Sequence, residues 1–324
     1  MKQEDGLIYG CLLDGRGGGR DVEWSDIREW SEQNGILWIH LDRSHPESHR
    51  WLREQSGLAP FISNALLAEE IRPRTSCVDN GLLVILRGVN LNPDAEPEDM
   101  VSIRLWIESS RIISLQRLPV VAATHIRDRI IKGRGPEQSG DFLADLVADL
   151  TDRMDFVVED LEDSMDSLEN QLLDDQSDDL RSQLAFLRRK VITLHRHMWP
   201  QREVMTRLQV QPPPWLTELD RTHIREATDR LTRQIELLDA VRSRAAVTHE
   251  ELTMLFSEQM NRTIYRLSII AAIFLPLALL TALLGINVAG IPGADSPRAF
   301  WFVCLFLVGL ACMQMWVFRR LKWF

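Results

Sequence analysis

The side chains of this 324-residue chain that could bind a metal ion form no complete ligand motif. His249, Glu250 and Glu258 are candidates by location, because an imidazole and two carboxylates precede a long apolar run. His249-Glu250-Glu251 lacks the second histidine of a zinc-hydrolase motif. Asp295 is a fourth candidate ligand, beyond that run.

The remaining histidines and the four cysteines predict no metal centre or redox site. His45 and His49 are four residues apart, but Pro46 makes this segment typical of a helix start with exposed polar residues. His195 and His197 are two apart and would face different ways. The cysteines show no paired framework or CxxC pattern. Because a phosphate loop and a nucleophile elbow are also missing, the sequence does not predict an enzyme.

Two uncharged apolar runs dominate the C-terminal part of the chain, 267–286 and 300–318. About 20 helical residues cross the ~30 Å hydrocarbon layer of a bilayer, so each run predicts a transmembrane helix. Trp301, Trp316 and Trp323 lie near the ends of the second run, where indole rings act as interfacial anchors. The sequence predicts a two-span protein of the lipid bilayer.

The flanking charges predict the orientation of these spans. Basic residues before the first run and after the second are Arg262, Arg266, Arg319, Arg320 and Lys322. Only Arg298 lies in the connection, and lysine and arginine are retained on the cytoplasmic side. The polar start of the chain, Met1 to Asp5, predicts no signal peptide. Both termini should therefore be cytoplasmic.

The chain is acidic, with 47 acidic against 37 basic residues and a net charge of −10, which disfavours nucleic acid as a partner. Much of the excess lies between Asp141 and Glu169, where carboxylates recur at three- and four-residue steps. A packed face is predicted opposite them: Phe142, Leu146, Leu150, Met154, Val157, Leu161 and Leu168. The acidic face is either simply solvated or concentrates cations.

Residues 1–140 alternate short β-like runs with helical stretches, which predicts a cytoplasmic α/β domain. The predicted strands are Leu7–Leu13, Ile36–Leu41, Leu82–Val89, Val101–Ile107 and Ile112–Leu115. The predicted helices are Val22–Gln33, Pro46–Gln55 and Pro60–Glu70. Residues 141–266 predict a helical stalk, 287–299 a periplasmic loop, and 319–324 a basic cytoplasmic tail.

The last stalk helix carries a seven-residue repeat and continues without Gly or Pro from Leu216 to Leu275, about 100 Å in all once the span is included. One row of the repeat is Ile224, Leu231, Leu238, Ala245 and Leu252; the other is Ala227, Val241 and Leu255, interrupted by Gln234 and Thr248. Ala245 and Thr248 favour helices that meet around an axis. Packing against the preceding helices of the same chain is the equal alternative.

A stripe of small or weakly polar residues follows one face of the same helix through the membrane. Its members, hereafter the small-residue stripe, are Asn261, Ile264, Ser268, Ala271, Leu275, Ala278 and Ala282, with Gly285 at the end. Bulkier residues lie away from it: Ile269, Ile270, Ile273, Phe274, Leu277 and Leu280. Lipid favours the bulky face, so the stripe should meet protein or water. Close helix packing and pore lining both fit.

This organisation resembles the CorA superfamily of divalent-cation transporters. The resemblance rests on the α/β domain, the stalk helix that enters the first of two C-terminal spans, Gly285-Ile286-Asn287 at the end of that span, and the basic tail. Ile286 replaces the methionine of magnesium-type members, and no carboxylate follows before Asp295. With Lys322-Trp323-Phe324 at the end, the pattern is similar to the zinc-transporting ZntB branch.

The resemblance implies a funnel-shaped homopentamer in the bacterial inner membrane, with five first spans around a pore. It implies no cofactor; the metal is cargo, Zn²⁺ first, with Co²⁺, Ni²⁺, Cd²⁺ or Mg²⁺ as alternatives. Gly285, Ile286 and Asn287 would form the mouth, where five Asn287 amides bind the water shell of a hydrated ion. Asn287 could equally cap the helix.

The resemblance also implies coupling to protons, although neither span contains a carboxylate or histidine. Coupling would then use His249, Glu250 or Glu258, or a proton carried with the hydrated ion. Two alternatives stay open: a Mg²⁺/Co²⁺ channel of the same architecture, and a membrane-anchored coiled-coil scaffold without ion flux.

Overall fold

The structure is a computed structural model that describes residues 5–69, 72–173, 179–285 and 298–320. Contacts divide the chain into two compact units, Met1–His249 and Glu250–Phe324. The division falls inside one long helix. The predicted domain limits at residues 140 and 266 stay predictions.

A seven-stranded mixed sheet forms the centre of the first unit. Its strands are β1 (Leu7–Leu13), β2 (Gly19–Val22), β3 (Ile36–Asp42), β4 (Arg74–Val78), β5 (Gly81–Gly88), β6 (Val101–Ile107) and β7 (Arg111–Gln116). They lie in the order β2-β1-β3-β7-β6-β5-β4. β3 and β7 are parallel, and the other neighbours are antiparallel.

Eight α-helices are described, and a 3-10 turn spans Glu32–Asn34. The helices are α1 (Trp24–Glu29), α2 (Pro46–Glu54), α3 (Pro60–Leu67), α4 (Val121–Ile131), α5 (Ser139–Leu173), α6 (Leu180–Val210), α7 (Glu218–Leu284) and α8 (Ala299–Arg320). An α/β sheet domain, a long helix and two C-terminal apolar helices are therefore the architecture, as the sequence predicts.

Helices cover both faces of the sheet because the strands are apolar on both sides. In β3, Leu37 and Ile39 join a buried cluster with Leu52 of α2 and Leu66 of α3. Trp38 points to the other face, where its ring lies 4.7 Å from that of Phe142 in α5. This two-sided burial fixes the sheet between α2 and α3 on one side and α5 on the other.

All five predicted strands are present within a residue or two of their predicted limits. Pro46–Glu54 and Pro60–Leu67 also match predicted helices, with proline at the first helical turn in each case. The predicted helix at 22–33 is instead the short α1 followed by the 3-10 turn, because Trp30 is extended. β2, β4 and α4 were not predicted.

The seven-residue repeat of α7 packs inside its own chain. Ile224, Leu231, Leu238 and Ala245 are completely buried, and Thr248 is 4 % exposed. Gln234 is buried as well, and its Nε2 donates to the Thr151 carbonyl of α5 at 3.0 Å and to the Asp155 carboxylate. The prediction that Ala245 and Thr248 mark helices around an axis is therefore wrong, and packing within one chain is right. Only Leu255 among the repeat positions is exposed.

The packed face predicted for α5 is buried at every position named for it. On the opposite, acidic face, Asp145, Asp149, Asp152, Asp166 and Glu169 contact basic side chains, so this face is not only solvated. Its partners are basic side chains of α4, α5 and α7, in the pairs Asp145–Arg129, Asp149–His125, Asp149–Arg153, Asp152–Arg230, and Asp166 and Glu169 with Arg244. These contacts tie α5 to α4 and α7.

Candidate functional site

The predicted mouth lies at the C-terminal end of α7. Leu284 is the last helical residue, and the Gly285 N–H donates to the carbonyls of Thr281 at 3.0 Å and Ala282 at 3.1 Å. A Cβ at Gly285 would stand 3.3 Å from the Thr281 oxygen, so a larger residue there requires a shift of a few tenths of an ångström. Ile286, Asn287 and Asp295 lie outside the described residues.

Every member of the small-residue stripe is exposed in the single chain. Its two largest members are Ile264, with 52 % of its surface exposed, and Leu275, with 73 %. Exposed apolar side chains on a transmembrane helix must meet lipid or another protein, or must line a path for water. Within the part of the chain that the structure describes, nothing covers this stripe.

The burial that α7 does show within the second unit falls on the bulky face. Ile269 is 6 % exposed, and Ile273, Leu277 and Leu280 are half-buried. At 100° per residue these four positions lie on the side of the helix away from the stripe. Ile270 and Phe274 of the bulky face are exposed, so that face is only partly covered, whereas every position of the stripe is uncovered.

The second apolar helix shows a similar one-sided pattern. Its half-buried positions recur at three- and four-residue steps and include Val303, Leu307, Leu310 and Gln314. The remaining surface is exposed and aromatic-rich, with Trp301 at 73 %. Trp316 is 60 % exposed, and the Arg320 guanidinium lies 5.3 Å from its ring centroid. Both indoles are exposed near the ends of α8, and their role as interfacial anchors stays a prediction.

The three candidate metal ligands that the structure describes, His249, Glu250 and Glu258, are not assembled into a metal centre within one chain. No group of three or more His, Cys, Asp or Glu side chains able to hold a metal exists among the described residues. His249 is half-buried and Glu250 is exposed. The Glu258 carboxylate accepts from Arg262 at 2.7 Å, in an exposed i,i+4 ion pair. Sequence analysis missed Arg262 as a partner, although its spacing from Glu258 is the signal for such a pair.

His45, His49 and His195 contact protein groups. At the start of α2, His45 Nδ1 accepts from the Glu47 N–H at 3.2 Å and His49 Nε2 donates to the Arg43 carbonyl at 2.6 Å. His195 lies 3.3 Å from the Asp239 carboxylate. The expectation of a helix start at Pro46 is confirmed.

His197 and Cys11 have pKa values that keep them uncharged near neutral pH. Burial, with the nearby charges of Arg87 and Arg196, lowers the pKa of His197 to about 4. Burial, with the charge of Asp21, raises the pKa of the Cys11 thiol to about 11. Neither pattern indicates catalysis, because neither group lies with a reactive partner.

Both apolar helices satisfy the length and composition of membrane spans. Their most apolar stretches are almost wholly unburied, in contrast to the core helix of a soluble protein. The described part of the chain therefore combines a folded sheet-and-helix unit with two helices whose apolar surfaces require another environment.

The chain is similar in sequence to a known protein family and to named transporters. The profile of the family described as CorA-like Mg2+ transporter protein matches residues 33–320. The divalent cation transporter CmaX of Pseudomonas aeruginosa is 43 % identical over 327 residues, which cover 99 % of this chain and 97 % of that protein. The zinc transport protein ZntB of Pectobacterium carotovorum is 39 % identical over 321 residues, with the same coverages.

The solved structure of full-length CmaX superposes with a TM-score of 0.83 at 42 % identity, and the match covers 99 % of both chains. The likeness therefore includes both apolar helices as well as the sheet.

Proposed function

The chain belongs to the CorA-like family of divalent-cation transporters, and we propose that it carries Zn²⁺ through a central pore formed by five copies. The family is one of ion transporters and not of enzymes, so the metal is a transported ion. Membership in it also removes the hypothesis of a scaffold without ion flux.

The exposed small-residue stripe on α7 is the observation that supports a pore. In a single chain the small side chains of the stripe are exposed, whereas the bulky side of the helix is partly covered. Five such stripes around an axis would provide a narrow conduit with weakly polar walls. The alternative of lipid contact would place small residues where bulky ones pack better.

Zinc is the proposed cargo because several relatives at 35 to 39 % identity are named as zinc transport proteins. The stripe contains no cysteine, histidine or carboxylate that would strip water from the ion. We therefore propose that the ion crosses largely hydrated. A Mg²⁺ or Co²⁺ cargo is the alternative, since the matched family profile bears the name of a Mg²⁺ transporter.

Asn287 is the proposed mouth residue. It follows Gly285 by two positions at the end of α7, and five amide oxygens at that level would hydrogen-bond the hydration shell of a divalent ion. Amides exert a weaker field than carboxylates, which suits passage rather than tight binding.

The proposed location is the bacterial inner membrane with both termini in the cytoplasm. Arg262 and Arg266 precede the first span, and Arg319 and Arg320 follow the second. The opposite orientation would leave these four cations on the outer side, against the usual retention of basic residues inside.

Flux measured with purified protein in liposomes tests this function. Vesicles that contain the protein should take up Zn²⁺ faster than Mg²⁺, and Asn287→Ala should lower the Zn²⁺ rate roughly fivefold to tenfold, which corresponds to about 1–1.4 kcal/mol of hydrogen bonding to the hydrated ion lost over the whole ring. Val288→Ala is the matched control and should transport normally. Vesicles impermeable to Zn²⁺ but permeable to Mg²⁺ would contradict the cargo.

Proton coupling is proposed to pass through His249, because the spans contain no titratable carboxylate or histidine. Glu258 is a weaker candidate, since its carboxylate is paired with Arg262. With an imposed pH gradient, the Zn²⁺ flux of His249→Ala protein should respond less than that of the unmodified protein. A response identical in the two proteins would remove His249 from the account.

A further inference from the structure

Two carboxylates meet in the first unit, where the first turns of α5 and α7 approach each other. Asp141 lies in the first turn of α5, and Asp220 lies in the first turn of α7. Neither residue belongs to the proposed ion path. Their environment is unusual for a pair of like charges, because Asp220 is only 1 % exposed.

One oxygen of Asp220 is fully engaged. Its Oδ2 accepts from the Thr217 N–H and from the Thr217 hydroxyl, each at 2.8 Å. In return, Thr217 Oγ1 accepts from the Asp220 N–H at 3.2 Å. This reciprocal arrangement is a capping box, and it fixes the carboxyl group at the start of α7.

The other oxygen, Oδ1, is enclosed and has no hydrogen-bond donor among the described residues. A buried acceptor without a donor costs about 1–3 kcal/mol, so such an atom requires an explanation. The nearby Arg221 does not supply one: its terminal nitrogens donate to Glu218 at 2.6 Å and to the Gln209 carbonyl at 3.0 Å, and its buried Nε has no acceptor among the described residues.

The charged group of α5 that acts on the Asp220 carboxyl is Asp141, the residue that follows Gly140. Close approach is possible because residue 140 is glycine: a Cβ there would lie only 2.1 Å from Asp220 Oδ2. Asp141 Oδ2 is itself used, accepting from the N–H groups of Glu137 at 3.2 Å and Gln138 at 3.1 Å. Two carboxylates without a proton cannot hydrogen-bond to each other, since both only accept.

The electrostatics agree with this geometry. Burial raises the pKa of the Asp220 carboxyl above its ordinary value, and the hydrogen bond and charge of Asp141 raise it further, although the bonds from Thr217 oppose the shift.

We propose that Asp141 and Asp220 form a proton-binding site, in which one shared proton joins the first turn of α5 to the first turn of α7. The proton lies between the two carboxyl groups and supplies the donor that Asp220 Oδ1 lacks. Its loss leaves two adjacent negative charges, which weakens the contact between the helix starts. α7 is also the helix that carries the small-residue stripe, so the site connects proton concentration to the start of that helix.

A metal ion fits this site less well than a proton. Each carboxyl group already uses one oxygen for its helix cap, so only two oxygens remain, whereas Mg²⁺ needs six ligands and Zn²⁺ usually four. No third His, Cys, Asp or Glu completes a ligand group in the part of the chain that the structure describes.

The pH dependence of thermal stability tests the site in full-length protein in mild detergent. A carboxyl group whose pKa is raised by folding stabilises the protein at low pH, and this contribution is lost as pH rises through the folded-state pKa. The melting temperature of the unmodified protein should therefore fall, relative to that of Asp220→Asn, as pH rises above the ordinary aspartate pKa of about 4. The amide introduced by Asp220→Asn mimics the protonated carboxyl group at every pH.

Asp141→Asn gives a second, independent variant, because its amide can donate to Asp220 without a shared proton. The melting temperature of this variant should likewise not fall, relative to that of Asp220→Asn, as pH rises. Asp163→Asn, an exposed change farther along α5, is the matched control and should behave as the unmodified protein does. Equal pH profiles for the unmodified protein and both pair variants would overturn the proposal.

Infrared difference spectroscopy supplies a readout that a purely structural role would not change. The carbonyl stretch of a protonated carboxylic acid should be present in the unmodified protein and lost in both Asp220→Asn and Asp141→Asn. Retention of that band in both variants would overturn the proposal. A melting temperature that rises with added Mg²⁺ or Zn²⁺ only when both aspartates are intact would also overturn the proposal, because the pair would then bind a metal ion.

Discussion

At the scale of single residues, His40 shows how the protein uses a potential zinc ligand structurally. The ring is completely buried in β3, its Nδ1 lies 2.6 Å from the Ser114 hydroxyl, and the Tyr9 ring stacks on it at 4.6 Å. Burial lowers the pKa of His40 to about 4, so the ring is neutral near pH 7. It is held by protein and is not open to an ion.

This environment predicts acid sensitivity. Because the folded-state pKa of His40 is below its ordinary value of 6.5, its contribution to stability is complete above about pH 6.5 and is lost as pH falls toward about 4. The loss should be on the order of 3 kcal/mol. Melting temperatures of His40→Gln and unmodified protein, followed from neutral to acid pH, should converge. Parallel curves would contradict the assigned environment. The effect has the opposite sign to that expected for Asp220.

The sequence predicted some of these residues and could not predict others. Pro46 and the polar residues around it indicate a helix start, and the structure gives His45 and His49 that local role. The sequence could not predict the pairing of Asp141 with Asp220, because 79 positions separate them and only the fold brings them together. Contacts between distant elements carry no local pattern.

At the scale of elements, α7 shows both the strength and the limit of a periodic pattern. The seven-residue repeat correctly marks the buried side of the helix, but it does not say which surface covers that side. In the structure, α5 of the same chain contacts this helix: Gln234 hydrogen-bonds to the Thr151 carbonyl, and Arg230 forms an ion pair with Asp152. The same physical pattern would fit a partner chain equally well.

Adjacent leucines of α7 test this assignment. Leu238 is completely buried, whereas its neighbour Leu237 is 37 % exposed. Leu238→Ala should reduce the free energy of unfolding by about 2–5 kcal/mol through a cavity in the core, and Leu237→Ala by less than about 1 kcal/mol. Thermal melts at two protein concentrations measure this. Equal effects for the two substitutions, or a Leu238→Ala effect that disappears on dilution, would contradict packing within one chain.

The unpredicted strands share a physical cause. β2 and β4 are the two edge strands of the sheet, so most of their side chains are exposed and their sequences lack apolar alternation. Arg20, Asp21 and Arg74 are suited to a sheet edge but resemble a loop in sequence. The interior strands were predictable because burial on both faces requires continuous apolar runs.

At the scale of the whole molecule, the two units differ in how completely they bury themselves. The first unit has a continuous core around the sheet, whereas the apolar helices of the second leave nearly all their side chains uncovered. A soluble protein could not sustain that exposure. Membership in a family of divalent-cation transporters accounts for it, since lipid and further copies of the chain would supply the missing environment.

The central claim is that the small-residue stripe of α7 lines the ion path, and thiol modification during transport tests it most directly. Cysteine would be placed at Ala278 or Ala282 of the stripe, or at Leu280 of the half-buried face, in protein with Cys304→Ser and Cys312→Ser. A membrane-impermeant charged thiol reagent should block Zn²⁺ flux at Ala278→Cys and Ala282→Cys and leave Leu280→Cys and the background protein active. Block at Leu280→Cys with the two stripe positions unaffected would contradict the account.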